Sequence, residues 1–193
     1  HVFSTQFWNE TNSQQDGTIK REVHFADKPM ELILSGPHFN VANPLIKTSR
    51  SVCESNRDYD VVDLQSIPEM YMQRCNYAQA CSDDEYINRI PITPWGNKYT
   101  QHYRLFQRRM LNLTGERVLT CAIAACGVAH VHTVISLTLD NSVDMATLAG
   151  CEVSLPYDFY IKCIGKSDLY FSTLASLPLP DKQDSNKIRL RAL

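Results

Sequence analysis

The chain has 193 residues, 44% of them apolar, enough for one large domain or two small ones with a proper core. No apolar run approaches the roughly 18 residues of a membrane span, and a formal net charge of −2 counts against a dedicated nucleic-acid binder, which would carry an excess of Lys and Arg. Seven scattered cysteines, an odd number, argue for reduced thiols and a cytoplasmic protein.

The start at His1 and the abrupt Arg-Leu-Arg-Ala-Leu ending suggest a piece of a longer protein. Phe3, Phe7 and Trp8 are the first apolar anchors. Asn9 to Gly17 reads as a loop that turns at Asp16-Gly17, and the alternation from Ile19 to Phe25 predicts a short strand. Lys20 and Arg21 fit a solvated turn or a phosphate contact.

The stretch 32–50, LILSGPHFNVANPLIKTSR, organises the rest. Leu32 to Leu34 is short, apolar and bounded by Ser35-Gly36-Pro37, as a buried strand is. Pro37 and Pro44 keep the following residues from growing into a helix. The expected product is a stiff, exposed loop, Phe39 to Arg50, carrying Asn40, Asn43, Lys47, Thr48 and Arg50. These groups hold something polar or anionic, and none is a nucleophile with a base beside it.

Tyr59 to Leu64 predicts another strand with acids at its ends. Ser66 and Pro68 have the chemistry of a short helical turn. Gln73 to Ala80 is expected as an exposed loop presenting Arg74, Asn76 and Tyr77. Ser82 followed by three acids signals a brief helix to Arg89, and Ile90 to Gly96 is broken by two prolines and a glycine. Tyr99 to Leu113 has the strongest helical pattern, with Tyr99, Tyr103, Phe106, Met110 and Leu113 at spacings of four and three. Arg104 and Arg108 fall together on another face, with Lys98, Arg109 and Arg117 nearby. That face is either a solvated one, with cations near a helix C-terminus, or one turned towards an anion, since Arg reads phosphate and guanine edges.

Val118 to Ala125 predicts a central buried strand. His130 to Leu139 predicts a second, with His130 and His132 on one face. Val143 to Cys151 starts a helix, Leu155-Pro156 interrupts it, and Asp158 to Lys162 resumes an amphipathic segment. The tail from Asp181 is polar, then basic at Lys187, Arg189 and Arg191. The fold class is therefore mixed α/β or α+β, a mixed or largely antiparallel sheet with flanking helices, in a single unit over 1–180 with 181–193 as a tail.

No glycine-rich cofactor turn, P-loop or nucleophile elbow occurs. No C-x-x-C is present, and Cys75/Cys81 and Cys121/Cys126 are spaced too widely for a usual metal pair. His130 and His132 with a distant cysteine, or the acids Asp58, Asp60 and Asp63, are the remaining metal candidates, and ordinary strand flanks fit the acids better. No catalytic centre or cofactor site is expected.

The segments FWNETNSQQDGTIKRE (7–22), LILSGPHFNVANPLIKTSR (32–50), YDVVDL (59–64) and YRLFQRRMLNLTGERVL (103–119), in this order, resemble the middle of large bacterial adenine-specific DNA methyltransferases of restriction-modification systems, of the type IIG kind. LAGCEVSLPYDFYIKCIGKSDLYFSTLASLPLP (148–180) is similar to the closing helix and Leu-Pro-Leu-Pro ending of their target recognition domains. The resemblance implies recognition of a double-stranded DNA sequence, with methyl transfer from S-adenosylmethionine to adenine carried by another domain of the parent, and in some relatives a nuclease as well. Asn43-Pro44-Leu45-Ile46 echoes only the first two residues of that family's catalytic Asn-Pro-Pro-aromatic motif, so catalysis is not carried over. Expected DNA contacts are Lys47, Arg50, Arg74, Asn76, Arg104, Arg108 and His130. Two other readings stay open: a small metal-dependent hydrolase using His130, His132 and the Asp58 to Asp63 acids, and a protein-interaction module built on Tyr71, Tyr77 and Trp95.

Overall fold

The computed structural model describes residues 1–39, 47–181 and 184–190. Asn40 and the Asn43-Pro44-Leu45-Ile46 echo, like Arg191, lie outside the described residues. The fold mixes helices with several small sheets, as expected.

The central sheet has four antiparallel strands: β1 (Val2–Thr5), β10 (Val134–Leu139), β7 (Arg104–Arg108) and β8 (Cys121–Ala124), in that spatial order. One face packs on the C-terminal helices α3 (Ser142–Glu152), α4 (Leu155–Ile164) and α5 (Phe171–Leu174). There Leu105, Ile135 and Leu137 meet Ala149, Ile161 and Leu174, each contributing on the order of 1.5–3 kcal/mol for a large aliphatic side chain removed from water. The other face, with Phe106, Ala124 and Val134, packs on Leu32, Leu34, Phe39 and Cys75.

The N-terminal half supplies smaller pairs. Strand β2 (Ile19–Phe25) runs antiparallel to β6 (Arg74–Gln79), with a bulge between Arg21 and His24. Strand β3 (Ile33–Leu34) runs parallel to β9 (Ala129–His130), and β4 (Lys47–Ser49) antiparallel to β5 (Tyr59–Val61). A one-turn helix α1 (Asn12–Gln15) replaces the expected loop, and Gly17 behind it takes a left-handed φ of 73°. Helix α2 (Asp83–Arg89) starts as read: the Ser82 hydroxyl accepts the Glu85 N–H at 3.4 Å, and three acids occupy the first turn. A last short helix, α6 (Ser185–Arg189), lies on α3. Between α3 and α4 the chain turns extended at Ser154, and Pro156 sits in the first turn of α4 where its missing N–H costs nothing.

The expected exposed loop Phe39 to Arg50 is not one at its described ends: Phe39 is buried in the core, and Lys47–Ser49 form β4 with Ser49 buried. Three more expectations are corrected. Tyr99 to Leu113 is not a helix: a single 3₁₀ turn at Tyr99–Gln101 leads into β7. Tyr103 and Met110, which a helical stripe would bury, are 59% and 53% exposed. Because β7 is central and covered on both faces, its strand period is hidden by burial all along it, and the residual spacing mimics a helix. Gln73 to Ala80 is not an exposed loop but contains β6, whose Cys75, Asn76 and Tyr77 are buried. Ser66 and Pro68 make no helix; the Asp63 side chain closes an ordinary turn by accepting from the Gln65 N–H and the Ser66 hydroxyl.

Candidate nucleic-acid interface

The expected contact residues part company in the fold. Arg104 is fully buried: its Nε donates to the His102 carbonyl at 3.2 Å, its Nη2 to the carbonyls of Ala125 and Val128, and its guanidinium lies over the rings of Tyr99 and Phe106. Burial pushes its pKa down to about 10. It ties β7 to the β8–β9 connection and is not a surface cation.

His130 is also fully buried, between the rings of Phe7 and Phe106. Its Nδ1 donates to the Val131 carbonyl at 3.0 Å, so Nε2 accepts from the Ser136 hydroxyl at 2.6 Å. Burial drives its pKa down to about 3, and the ring is neutral. His132 instead accepts the Glu10 N–H at 3.4 Å on its Nδ1. The two histidines do not share a site. Among the described residues no three His, Cys, Asp or Glu side chains could hold a metal ion together.

The cationic cluster expected on one helix is dispersed as well. Arg109 pairs with Asp168 at 3.4 Å and Arg117 with Asp158 at 3.3 Å. Lys98 spans the carbonyls of Asn88 and Ile90 at the end of α2. Arg108 is half-buried opposite Val134, without an ion-pair partner among the described residues, and burial lowers its pKa. Tyr77 lies in the core and Trp95 packs edge-on against His102, so no single aromatic face joins them.

Lys47, Arg50 and Arg74 are brought together around the β4–β5 hairpin. Its root is bolted to β6. Arg74 N–H donates to Thr48 Oγ1 at 2.9 Å, while the Arg74 carbonyl accepts from Ser49 Oγ at 3.2 Å and from His38 Nε2 at 3.1 Å. The Nε2 of His38 is the protonated nitrogen because its Nδ1 accepts the Ser35 N–H. The His38 ring meets Tyr59 edge-on at 4.9 Å, and the Tyr59 hydroxyl bonds Ser35 Oγ at 3.0 Å. Ser49, Cys53 and Tyr59 are buried beneath. The Arg74 guanidinium spreads over the exposed ring of Phe25, 4.4 Å from its centroid.

The hairpin tip holds its shape through one carboxylate. Asp58 Oδ2 accepts from the Glu54 N–H at 3.2 Å and from both the N–H and the hydroxyl of Ser55 at 2.8 Å, and these bonds hold its pKa below the usual carboxylate range. Arg50 places Nε and Nη2 on Asp60 Oδ1 at 3.0 and 2.8 Å across the strands. Two acids are thus turned onto the hairpin itself, whereas Lys47 and Arg57 make no ion pair among the described residues. Asn56 and Arg57 are exposed at the tip.

Asn56 and Arg57 were not among the expected contacts. Their signal was present: Ser55-Asn56-Arg57-Asp58 has the Ser/Asp spacing of a side-chain-stapled turn. Asn76, two residues from Arg74 on β6, is 5% exposed and lies in the wall of a polar cavity. No family model and no curated protein matches the chain.

Proposed function

We propose that this chain reads double-stranded DNA for a restriction-modification adenine methyltransferase, laying the β4–β5 hairpin in a groove, while another domain of the same polypeptide transfers the methyl group from S-adenosylmethionine. The observation that carries the reading is the hairpin: a two-stranded ribbon, of a size the major groove admits, fixed at its root and stapled at its tip, with Lys47 and Arg57 in no ion pair among the described residues and Asn56 next to Arg57 at the tip. Rigid delivery of an amide and a guanidinium is what base reading requires, and the flanking cations supply phosphate contacts. The ordered resemblance of the five segments supports the same reading. Arg104 and His130 take no part in it.

With a net charge of −2 the chain alone binds duplexes weakly, and most electrostatic affinity comes from the rest of the enzyme. The test is a fluorescence-anisotropy titration of labelled duplexes at increasing salt. The double variant Lys47→Ala, Arg57→Ala is expected to flatten the slope of log affinity against log salt by about two contacts' worth. An unchanged slope and affinity, or no duplex binding by the wild-type chain at low salt, overturns the proposal.

A further inference from the structure

A largely apolar cavity of about 550 Å³ opens where four segments meet: the 3₁₀ turn Pro29–Glu31, α2, the 3₁₀ turn Tyr99–Gln101 and the β8–β9 connection. Its walls are held by bonds that need no ligand. The Tyr86 hydroxyl of α2 accepts from Trp8 Nε1 at 2.8 Å, the Gly127 N–H donates to the Thr100 carbonyl at 2.7 Å, and Cys126 Sγ donates to the Gln101 carbonyl at 3.3 Å. Gly127, at a φ of 91°, lies so close to the first turn that a Cβ there would stand 3.2 Å from the Met30 nitrogen. The cavity is therefore preformed, as small-molecule sites usually are. Two features of its lining call for a ligand. Met30 and Ile87 remain 38% and 36% exposed, so large apolar side chains are left uncovered together in a concave place. The charges are also one-sided: Lys28 and Lys98 line the cavity, with no carboxylate among its described lining residues. Lys98 is half-buried and fixed, its Nζ donating to the carbonyls of Asn88 and Ile90 at 3.1 Å each. An ammonium has three N–H bonds, so one remains, and neither lysine makes an ion pair among the described residues.

We infer that the cavity binds a small amphiphile, an apolar chain ending in one carboxylate. The chain rests on Met30, Ile87 and Ile90, and the carboxylate accepts the remaining N–H of Lys98, with the exposed Lys28 adding attraction. The volume lies within the range of roughly 300–1,000 Å³ typical of small-molecule sites. A neutral apolar ligand would strip water from the Lys98 charge and give it no partner, and a cationic one would be repelled by both lysines. The inference is independent of the DNA-reading proposal, since none of the described residues of the β4–β5 hairpin lines this cavity.

The test uses the whole 193-residue chain and probes of equal chain length: decanoate, decanol and decyltrimethylammonium. Isothermal titration is expected to show saturable binding of decanoate, at least about fivefold tighter than decanol, with decyltrimethylammonium weakest. Decanoate should also slow alkylation of Cys126, which lines the cavity, and leave Cys163, exposed on α4, unaffected, as read peptide by peptide in a mass spectrometer. Lys98→Met keeps an apolar stem and should bring decanoate down to the affinity of decanol. Lys98 also ties down the end of α2, so two variants at exposed positions stand beside it. Lys28→Ala should weaken decanoate and not decanol, and Ile87→Glu, which adds a carboxylate to the wall, should weaken decanoate more than decanol. Equal affinity for decanoate and decanol, no saturable binding, or equal protection of Cys163 and Cys126 overturns the site. Self-association in sedimentation experiments that Ile87→Glu abolishes, without decanoate binding, also overturns it and gives the groove to a second copy of the chain.

Discussion

The Gln107 amide on β7 points both of its N–H bonds' reach at one carboxylate, with Nε2 lying 3.2 and 3.0 Å from the two oxygens of Glu152 on α3, and both residues are fully buried. A neutral amide does not offset the desolvation of a charged acid, so the Glu152 pKa is pushed up to about 7 by burial, against the smaller opposing effects of Gln107 and Cys121. The folded state therefore holds a proton that the unfolded state releases between pH 4.5 and about 7. This raised group favours folding below pH 4.5, and that contribution fades as pH rises through 7. Glu152→Gln removes the dependence. The variant should match wild type in urea midpoint near pH 5 and exceed it near pH 8, by on the order of 3 kcal/mol over the full window. Parallel pH profiles for the two proteins would refute this.

The buried histidines act with the opposite sign. Burial lowers His38 to about 4 and His130 to about 3, so each is neutral in the fold and takes up a proton on unfolding once pH drops below 6.5. Their stabilisation is complete above pH 6.5 and is lost as pH falls towards those values. Between pH 5 and 6, unfolding takes up protons at the two histidines and releases one from Glu152. In Glu152→Gln the release is gone, and stability should fall more steeply with acid by roughly 1.4 kcal/mol per pH unit, the increment of one proton. Urea titrations across that interval measure the difference directly.

Arg104 is a folding residue, and substituting it does not test nucleic-acid contact. Arg104→Ala orphans the carbonyls of Ala125 and Val128 and leaves a cavity beside Tyr99 and Phe106. A loss of about 3 kcal/mol or more is expected from the two effects together. Arg104→Lys should not rescue it, because an ammonium cannot span three carbonyls in the plane of a guanidinium. Equilibrium unfolding gives the loss, and near-wild-type stability of the alanine variant would contradict this role.

Gly150 lies within α3, where Ala would normally gain up to about 1 kcal/mol of helix propensity. Here a Cβ would stand 2.3 Å from the carbonyl oxygen of Ile188 and 2.8 Å from its Cγ2. The contact is with backbone, so α6 must move away. Gly150→Ala should release α6 while the central sheet keeps its stability, seen as faster tryptic cleavage at Lys187 and Arg189 with little change in the main unfolding transition. Unaltered cleavage would mean that α6 does not depend on this close approach.

What was legible in the sequence follows from how local each signal is. The start of α2 was readable because Ser82 and its three acids are capping chemistry within four residues. The break between α3 and α4 was readable from Pro156, and β2 from its alternation. The segment Tyr99 to Leu113 was misread because a strand covered on both faces loses its period of two, and a run of large apolar residues then satisfies a helical template by chance. Burial of Arg104 and His130 was invisible because it depends on carbonyls and hydroxyls contributed from distant segments: Ala125 and Val128 for one, Ser136 for the other. Lys47, Arg50 and Arg74 were singled out separately, each from its own segment, and their grouping depends on Thr48 and Ser49 bonding to β6, which no local pattern announces.

Asp58 gives the proposed interface its most discriminating test. Its carboxylate carries no outward function: it accepts three hydrogen bonds from Glu54 and Ser55 and so sets where Asn56 and Arg57 stand. Asp58→Ala removes a negative charge, which by itself strengthens attraction to any duplex, and it also frees the tip. The two effects separate in experiment because phosphate attraction is indifferent to sequence whereas base reading needs a fixed geometry. Anisotropy titrations over a panel of duplexes are expected to show equal or tighter binding of the variant to the average duplex, with the preference among sequences collapsing. Asp58→Asn, which keeps an acceptor for the Ser55 N–H, should retain part of that preference. If Asp58→Ala keeps the full preference, the tip does not read bases, and any sequence discrimination resides elsewhere in the chain.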